Sequence, residues 1–417
     1  MRRNPPFRRL YIANAISGIG DFLDVVALYS LLVELTGRGQ SVSYALLLHL
    51  VPFFLLGPVA GVLADRISRR KILIACDLSR AALTLCLLFV RSPELVWIAY
   101  AVTAVRSAVS AFWEPAMQAT VPSLVPAEDL VFAGTLDNSL WATTLALGAA
   151  LGGLVVATVG RDAAFVLDGL SFLVSAFFLR GIPDVRARAD KQAAELREEA
   201  HTPGESRLAN LLALRDLREG VRYLLAHADV RALIFVKACF GLTLGGVLVL
   251  LPWFGERVFD AANGRGLAVF YLARGVGSLV GPLAAFRLIG HDRRSLRRGI
   301  AWADALIICC YLAFGLSPSI WPAALALALA NAGGSILWTS GSTLLQLTVP
   351  DHVRGRVASA DIAAMTMCMA FSTFLAGVLL DRGVAPRLLM AGCGLVALVP
   401  LSYWVGRFRV TADAAAQ

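Results

Sequence analysis

Charged residues are scarce in this chain: they make up 16% of it, while hydrophobic residues make up 58%. Soluble globular domains carry about 25% charged residues, so the composition excludes an ordinary water-soluble protein. Runs of alternating apolar and polar residues, which would indicate the strands of a membrane barrel, are lacking too. Backbone hydrogen bonds inside lipid must then be closed within helices. The composition therefore predicts an all-α membrane protein.

Motifs of the common hydrolases and ATPases are also missing. No His-Glu-x-x-His, nucleophile-elbow or phosphate-loop pattern occurs, so neither metal-assisted hydrolysis nor ATP-driven transport is supported. The seven cysteines are scattered, without the spacing of a metal site or a disulfide framework. We expect no cofactor, no bound metal and no enzymatic activity. Gly18-Ile19-Gly20-Asp21 matches the Gly-x-Gly-Asp stretch of intramembrane aspartyl proteases, but their Tyr-Asp pair does not occur, so a protease is a remote alternative.

Long apolar runs dominate the sequence. Crossing about 30 Å of hydrocarbon takes roughly 20 mostly apolar residues per helix. The first run is too long for the core of a signal peptide and ends without a small-residue cleavage site, so we retain it as a span. Twelve spans are predicted, at residues 10–34, 42–64, 72–91, 95–117, 136–158, 162–181, 231–254, 267–288, 299–317, 320–344, 357–381 and 385–407.

Basic residues are distributed unevenly between the two sides of these spans. With the N-terminus inside, the short inside segments carry sixteen Lys and Arg residues and the outside loops carry seven. The positive-inside rule then predicts that both termini are cytoplasmic. The net charge of +9 is explained by this topology, and no nucleic-acid partner is expected.

One charged and polar segment divides the chain into two sets of six spans. We predict an N-terminal six-helix bundle at 1–181, a cytoplasmic linker with an amphipathic helix at 182–230, a C-terminal six-helix bundle at 231–408 and a short cytoplasmic tail at 409–417. The expected role of the linker is to tether the two bundles.

The two halves repeat each other at the level of short motifs. Gln118-Ala119-Thr120-Val121-Pro122 recurs as Gln346-Leu347-Thr348-Val349-Pro350, and Gly57-Pro58-Val59-Ala60 recurs as Gly281-Pro282-Leu283-Ala284. A basic loop follows each copy of the second motif. A six-helix unit duplicated in parallel orientation is one of the recognised plans of transporters.

The stretch GVLADRISRRK, residues 61–71, resembles the signature between the second and third helices of the major facilitator superfamily, Gly-x-Leu-x-Asp-Arg-x-x-Arg-Arg-Lys. Further stretches resemble the drug, macrolide and siderophore exporter branch of that family, including its enterobactin exporters. They are SGIGDFLDVVALYSLLVELTG, FWEPAMQATVPSLVPAEDL, DLREGVRYL and LLQLTVPDHVRGRV.

The resemblance implies an alternating-access exporter in a bacterial plasma membrane. Such a protein would exchange protons for an amphipathic small molecule, lie among membrane lipids and act as a monomer. One departure concerns the antiporter signature of the fifth span, which usually has Gly-Pro before Gly-Gly, whereas LALGAALGGLV has Ala149 there. A lysophospholipid flippase or an importer of the same fold is the alternative.

The resemblance also implies a gate on the cytoplasmic side. Asp65 would lie near the start of a helix in the other half and hold a basic partner, closing that side when the cavity faces outward. Asp77 and Arg80, three residues apart, would extend this charge network, although topology alone could account for the basic residues. The predicted gate comprises Gly61, Asp65, Arg66, Arg69, Arg70, Asp77 and Arg80. Predicted helix-packing positions are Gly57, Pro58, Gly148, Gly152 and Gly153.

Ionisable residues inside the spans are candidates for binding cargo or protons because they are costly in lipid. By helix rise, Asp21 lies about 16 Å into the first span and Arg106 lies at a similar depth in the fourth, so we expect them to pair. A purely structural ion pair is the alternative. The predicted cavity and coupling residues are Asp21, Asp24, Arg106, Glu114, Asp137 and Arg274. Lys237 is expected to snorkel, and Asp168, Asp304 and Asp361 are assigned no role because they lie nearer span ends.

Overall fold

A computed structural model of the chain describes residues 4–126, 129–183, 222–261, 264–288, 290 and 292–414. These residues form helices and turns, and twelve of the segments are long and apolar enough to cross a membrane. The predicted all-α fold with twelve spans is confirmed. Within the predicted linker, the described residues 222–226 are helical, and most of the remainder lies outside the described residues.

Among the described residues, six α-helices form the N-terminal half and seven form the C-terminal half. The first half comprises α1 (Pro5–Thr36), α2 (Gly39–Arg66), α3 (Arg69–Leu85), α4 (Val96–Leu124), α5 (Leu130–Thr158) and α6 (Arg161–Arg180). The second comprises α7 (Ala228–Trp253), α8 (Arg265–Leu288), α9 (Arg293–Leu316), α10 (Ile320–Thr348), α11 (Asp351–Asp381), α12 (Pro386–Val396) and α13 (Leu398–Ala414). Helices α12 and α13 together make the last span, Pro386–Arg407.

Local sequence explains where the first helix begins and ends. The Asn4 side chain accepts a hydrogen bond from the backbone N–H of Phe7, and Pro5 occupies the first turn, where a missing N–H costs nothing. The helix ends at Gly37, whose φ of 61° lies in the left-handed region that glycine adopts without strain. Between these signals α1 is 32 residues long, which is ample to span a bilayer.

Polar contacts join helix termini at one end of the molecule, which we call the terminal end because the first and last described residues of the chain lie there. Asn4 Nδ2 donates to the carbonyl of Leu124 at the end of α4. In the second half, Arg407 of α13 forms an ion pair of 2.7 Å with Asp229 at the start of α7. The opposite end, which we call the distal end, has its own pairs, such as Arg91–Asp162 at 2.7 Å.

The internal repeat is visible in the hydrogen bonds of the terminal end. Arg69, at the start of α3, donates to the carbonyl of Ala119 in α4 at 2.8 Å. Arg293, at the start of α9, donates to the carbonyl of Leu347 in α10 at 2.6 Å. Ala119 and Leu347 are the second residues of the two Gln-x-Thr-Val-Pro motifs. The two halves therefore share one local structure as well as one sequence pattern.

The two halves contact each other through α5 with α8 and α2 with α11. Three hydrogen bonds join the distal parts of helices of the two halves. They are Ser30 Oγ to Glu256 at 2.7 Å, Gly39 N–H to Asp381 at 2.7 Å and Ser43 Oγ to the Thr373 carbonyl at 2.8 Å. The distal end is thus closed in this conformation.

Small residues permit close helix approach at three of the predicted packing positions. A Cβ at Gly148 would lie 2.6 Å from the Ile19 carbonyl oxygen, and one at Gly152 would lie 2.9 Å from Leu23 Cα, so both admit α1 against α5. A Cβ at Gly153 would collide with Ala268 of α8. Gly57 differs, because a Cβ there meets no described atom within 4 Å. This conformation brings no helix to Gly57, and the side chain of Pro58 lies outside the described part.

Gly148→Ala should destabilise the folded protein by about 1–3 kcal/mol, because the new methyl group meets backbone atoms of α1 that cannot move aside cheaply. The measurement is the thermal unfolding midpoint of the purified protein in detergent. Gly57→Ala is the matched control: it adds the same methyl group to open space and should leave the midpoint unchanged or higher. Equal midpoints for the two variants would contradict the proposed α1–α5 contact.

Candidate functional site

A cavity of about 660 Å³ opens within the N-terminal half. Its lining residues come from α1 to α5 and run from Tyr29, deep in the half, to Pro122, which is exposed two residues before the end of α4. The cavity therefore reaches the terminal end, while the distal end is closed. Its volume suits a drug-sized ligand, since small-molecule pockets measure about 300–1,000 Å³.

Arg106 lies at the inner wall of this cavity, among three aspartates. Its guanidinium is 2.8 Å from Asp24 Oδ2, 3.4 Å from Asp168 Oδ2 and 3.6 Å from Asp21 Oδ1. It also donates to the hydroxyl of Thr84 at 2.9 Å. The predicted proximity of Asp21 and Arg106 is present, but Asp24 is the nearer partner. One guanidinium thus connects α4 to α1, α3 and α6.

Asp168 is a member of this cluster that the sequence did not reveal. Its depth in α6 suggested a position near a span end, yet its side chain is fully buried and accepts a hydrogen bond from Thr84 as well as from Arg106. A usable signal existed in the sequence: buried charges in membranes are usually paired. Asp21, Asp24 and Asp168 all lie within predicted spans, and Arg106 is the arginine predicted at mid-membrane. Each of the three aspartates was therefore a possible partner for Arg106.

Arg80 forms a second centre beside the first. It forms an ion pair with Asp77, which is fully buried and accepts a hydrogen bond from Ser175 at 2.5 Å. The guanidinium also lies 4.5 Å from the ring centroid of Phe172 and 3.9 Å from Asp21. Asp77 and Arg80 are also predicted members of the cytoplasmic gate network. Of the two, Arg80 lines the cavity, whereas Asp77 is fully buried and does not line it.

Asp21 is the cluster carboxylate that the cavity exposes most. Its side chain is 38% exposed, whereas those of Asp24 and Asp168 are buried. It stands between the two guanidinium groups, 3.6 Å from Arg106 and 3.9 Å from Arg80. A ligand or proton entering the cavity can therefore reach Asp21 without displacing the inner ion pairs.

Comparison with known proteins decides the class of the chain. The model of the transmembrane secretion effector family matches residues 2–416. The chain belongs to this family. The transporter is 27% identical to the uncharacterized MFS-type transporter YkuC of Bacillus subtilis, covering 99% of this chain and 94% of YkuC. It is 24% identical to macrolide efflux protein A of Streptococcus pyogenes, covering 97% of this chain and 96% of that protein.

Solved structures agree with this assignment at the level of the fold. A crystal structure of a mutant of the nucleoside transporter NupG superposes on the transporter with a TM-score of 0.74, covering 96% of this chain and 99% of NupG at 12% identity. The protein is an efflux-type transporter of the major facilitator superfamily that carries small molecules across a membrane, and it is not an enzyme. The protease alternative is therefore wrong.

The predicted gate segment of the transporter is described only in part. The side chains of Gly61, Asp65 and Arg66 lie outside the described residues. Arg70 donates to the carbonyl of Ile182 at 3.1 Å, and Arg69 binds the end of α4 as given above. Both arginines thus bind carbonyls near the C-terminal ends of α4 and α6 in their own half, where positive charge is favourable.

The C-terminal half of the transporter contains buried charges that differ from the predicted ones. Lys237 does not snorkel: it is 2% exposed, forms an ion pair with Asp361 of α11 and lies 4.3 Å from the ring centroid of Trp338. Arg274 is also buried, lies 4.9 Å from the Tyr271 ring centroid and does not line the cavity. In this conformation the functional groups that reach the cavity come from the N-terminal half.

Proposed function

We propose that the protein is a proton-coupled exporter of amphipathic small molecules of the drug, macrolide or siderophore type. It acts as a monomer in a bacterial plasma membrane, with both termini in the cytoplasm. The observation that carries this proposal is the position of Asp21, which is open to the cavity and lies within 4 Å of both Arg80 and Arg106.

The orientation rests on the distribution of basic residues. Sixteen Lys and Arg residues in the short segments of the terminal end, against seven at the distal end, favour a cytoplasmic terminal end. The cavity then faces the cytoplasm and the closed distal end faces outward. For an exporter this is the conformation that accepts cargo.

Coupling follows from competition at Asp21. When the cavity faces outward, a proton binds this carboxylate; when the cavity faces the cytoplasm, entering cargo takes its place and the proton leaves. The neighbouring groups that set the local charge are Arg80, Arg106, Asp24 and His49. Arg106 stays paired with Asp24 throughout, so the buried charges are never left without a partner.

The gate is the second element of this mechanism. By family resemblance, Gly61, Asp65 and Arg66 close the terminal end when the halves rock apart at the distal end. Arg69 and Arg70 fix the start of α3 to α4 and α6, so that the N-terminal half moves as one body. A flippase of the same fold would use the same movement without proton exchange. An importer of the same fold would use it to move cargo in the opposite direction.

Asp21→Asn should abolish uphill export driven by a proton gradient, while downhill equilibration of cargo continues, because the amide keeps the shape but cannot exchange a proton. The measurement is cargo accumulation in proteoliposomes supplied only with a pH gradient. Asp162→Asn, which alters a half-exposed aspartate at the distal end, should accumulate cargo normally. Uphill transport by Asp21→Asn would make Asp21 structural, and transport by the wild type without proton movement would favour a flippase.

Asp65→Asn should slow transport about tenfold or more without reducing the amount of protein in the membrane, because it removes the gate charge and leaves the apolar spans intact. Initial transport rates, normalised to protein amount, provide the measurement. Asp129→Asn is the control, since Asp129 is exposed at the same end of the molecule. Equal rates in the two variants would remove Asp65 from the gate.

A further inference from the structure

Two carboxylates on the cavity wall take no part in the arginine cluster. Glu114 on α4 accepts a hydrogen bond from the Gln118 amide at 2.8 Å, and Asp137 on α5 accepts one from the Asn14 amide at 3.4 Å. Both line the cavity. Among the described residues, neither has a lysine or arginine nitrogen within 4.0 Å. Neutral amides hold these two carboxylates in place without balancing their charge.

Among the described residues that line the cavity, every arginine already has an aspartate partner. Of the described residues that line the cavity, two are lysine or arginine, namely Arg80 and Arg106. Four aspartates already form ion pairs with these two guanidinium groups: Asp21, Asp24, Asp77 and Asp168. Four of the six carboxylates therefore share two guanidinium groups, and among the described residues Glu114 and Asp137 are left without one. An uncompensated negative charge is costly inside a membrane protein, so the site favours a positive counter-charge delivered from the cytoplasm.

Aromatic groups line the same cavity as the two carboxylates. Trp141 lines the cavity with 54% of its surface exposed, and its ring meets Phe22 edge-on at 6.4 Å between centroids. Trp113 and Tyr11 line the same wall. Aromatic faces attract organic cations and also bury their apolar bodies.

We infer that the cavity binds an organic cation, with an ammonium or comparable positive centre between Glu114 and Asp137 and an apolar body against Trp141 and Phe22. This inference deepens the proposed export function and rests on it for the identity of the cavity as the transport route. It favours amine-bearing drugs and macrolides as cargo over anionic siderophores. Glu114 and Asp137 are the specificity-determining residues of the site.

Two probes of nearly identical size and shape isolate the effect of charge: tetraphenylphosphonium is a cation and tetraphenylborate is an anion. Equilibrium binding of each to the purified wild-type protein in detergent should be saturable for the cation and at least about tenfold weaker for the anion. Equal affinities, or no saturable binding of tetraphenylphosphonium, would overturn the inference whatever the variants do.

The double variant Glu114→Gln, Asp137→Asn should bind tetraphenylphosphonium at least about tenfold more weakly, because it keeps the hydrogen-bonding shape and removes both charges. Glu94→Gln, which alters an exposed glutamate near the distal end, is the matched control. Wild-type affinity in the double variant would contradict the assignment. Cation binding is measured without a proton gradient, so it can be observed even if proton-driven export fails. Conversely, if the cation does not bind, the protein can still export another class of cargo.

Discussion

The ion pairs of Arg106 are the interaction on which the N-terminal half depends. A guanidinium buried in a membrane bundle is tolerated only with compensating charge, and removal of one partner from a buried pair typically costs 3–5 kcal/mol. Asp24 and Asp168 provide that compensation from α1 and α6. The same guanidinium also approaches Asp21, which is open to the cavity. It therefore holds α1, α4 and α6 together and also offsets the negative charge of a carboxylate in the cavity.

In alternating access, the contacts between the two halves and the Arg106 cluster inside the N-terminal half have different roles. Close contacts at Gly153 and at Gly39 pack the distal end tightly, so opening must occur as a movement of whole bundles rather than of single side chains. The cluster lies inside one bundle, and the proposed mechanism keeps its internal pairs during that movement. In the proposed mechanism, the access of Asp21, Glu114 and Asp137 switches from one side of the membrane to the other between states, which is the requirement for exchange of two positively charged species.

Hydropathy was sufficient to predict the twelve spans, and helix rise was sufficient to place Asp21 and Arg106 at the same depth. Rotation about the helix axis was not predictable, because it depends on contacts between halves and between neighbouring helices. For this reason Asp77 and Arg80 were expected to extend the gate network from the third span, whereas the contacts of Arg80 with Phe172 and Asp21 were not foreseen. Lys237 was expected at a surface because its partner, Asp361, is 124 residues away in sequence, and nothing local indicates such a pair.

The central claim is that cargo and protons compete for the carboxylates that line the cavity, which are Asp21, Glu114 and Asp137. Proton release on ligand binding tests it most directly: tetraphenylphosphonium is added to concentrated protein in weakly buffered detergent solution, and a pH indicator counts the protons released per cation bound. The account predicts a measurable release that grows smaller when Asp21 is replaced by asparagine. Saturable binding of the cation with no release of protons at any pH from 5 to 8 would contradict it.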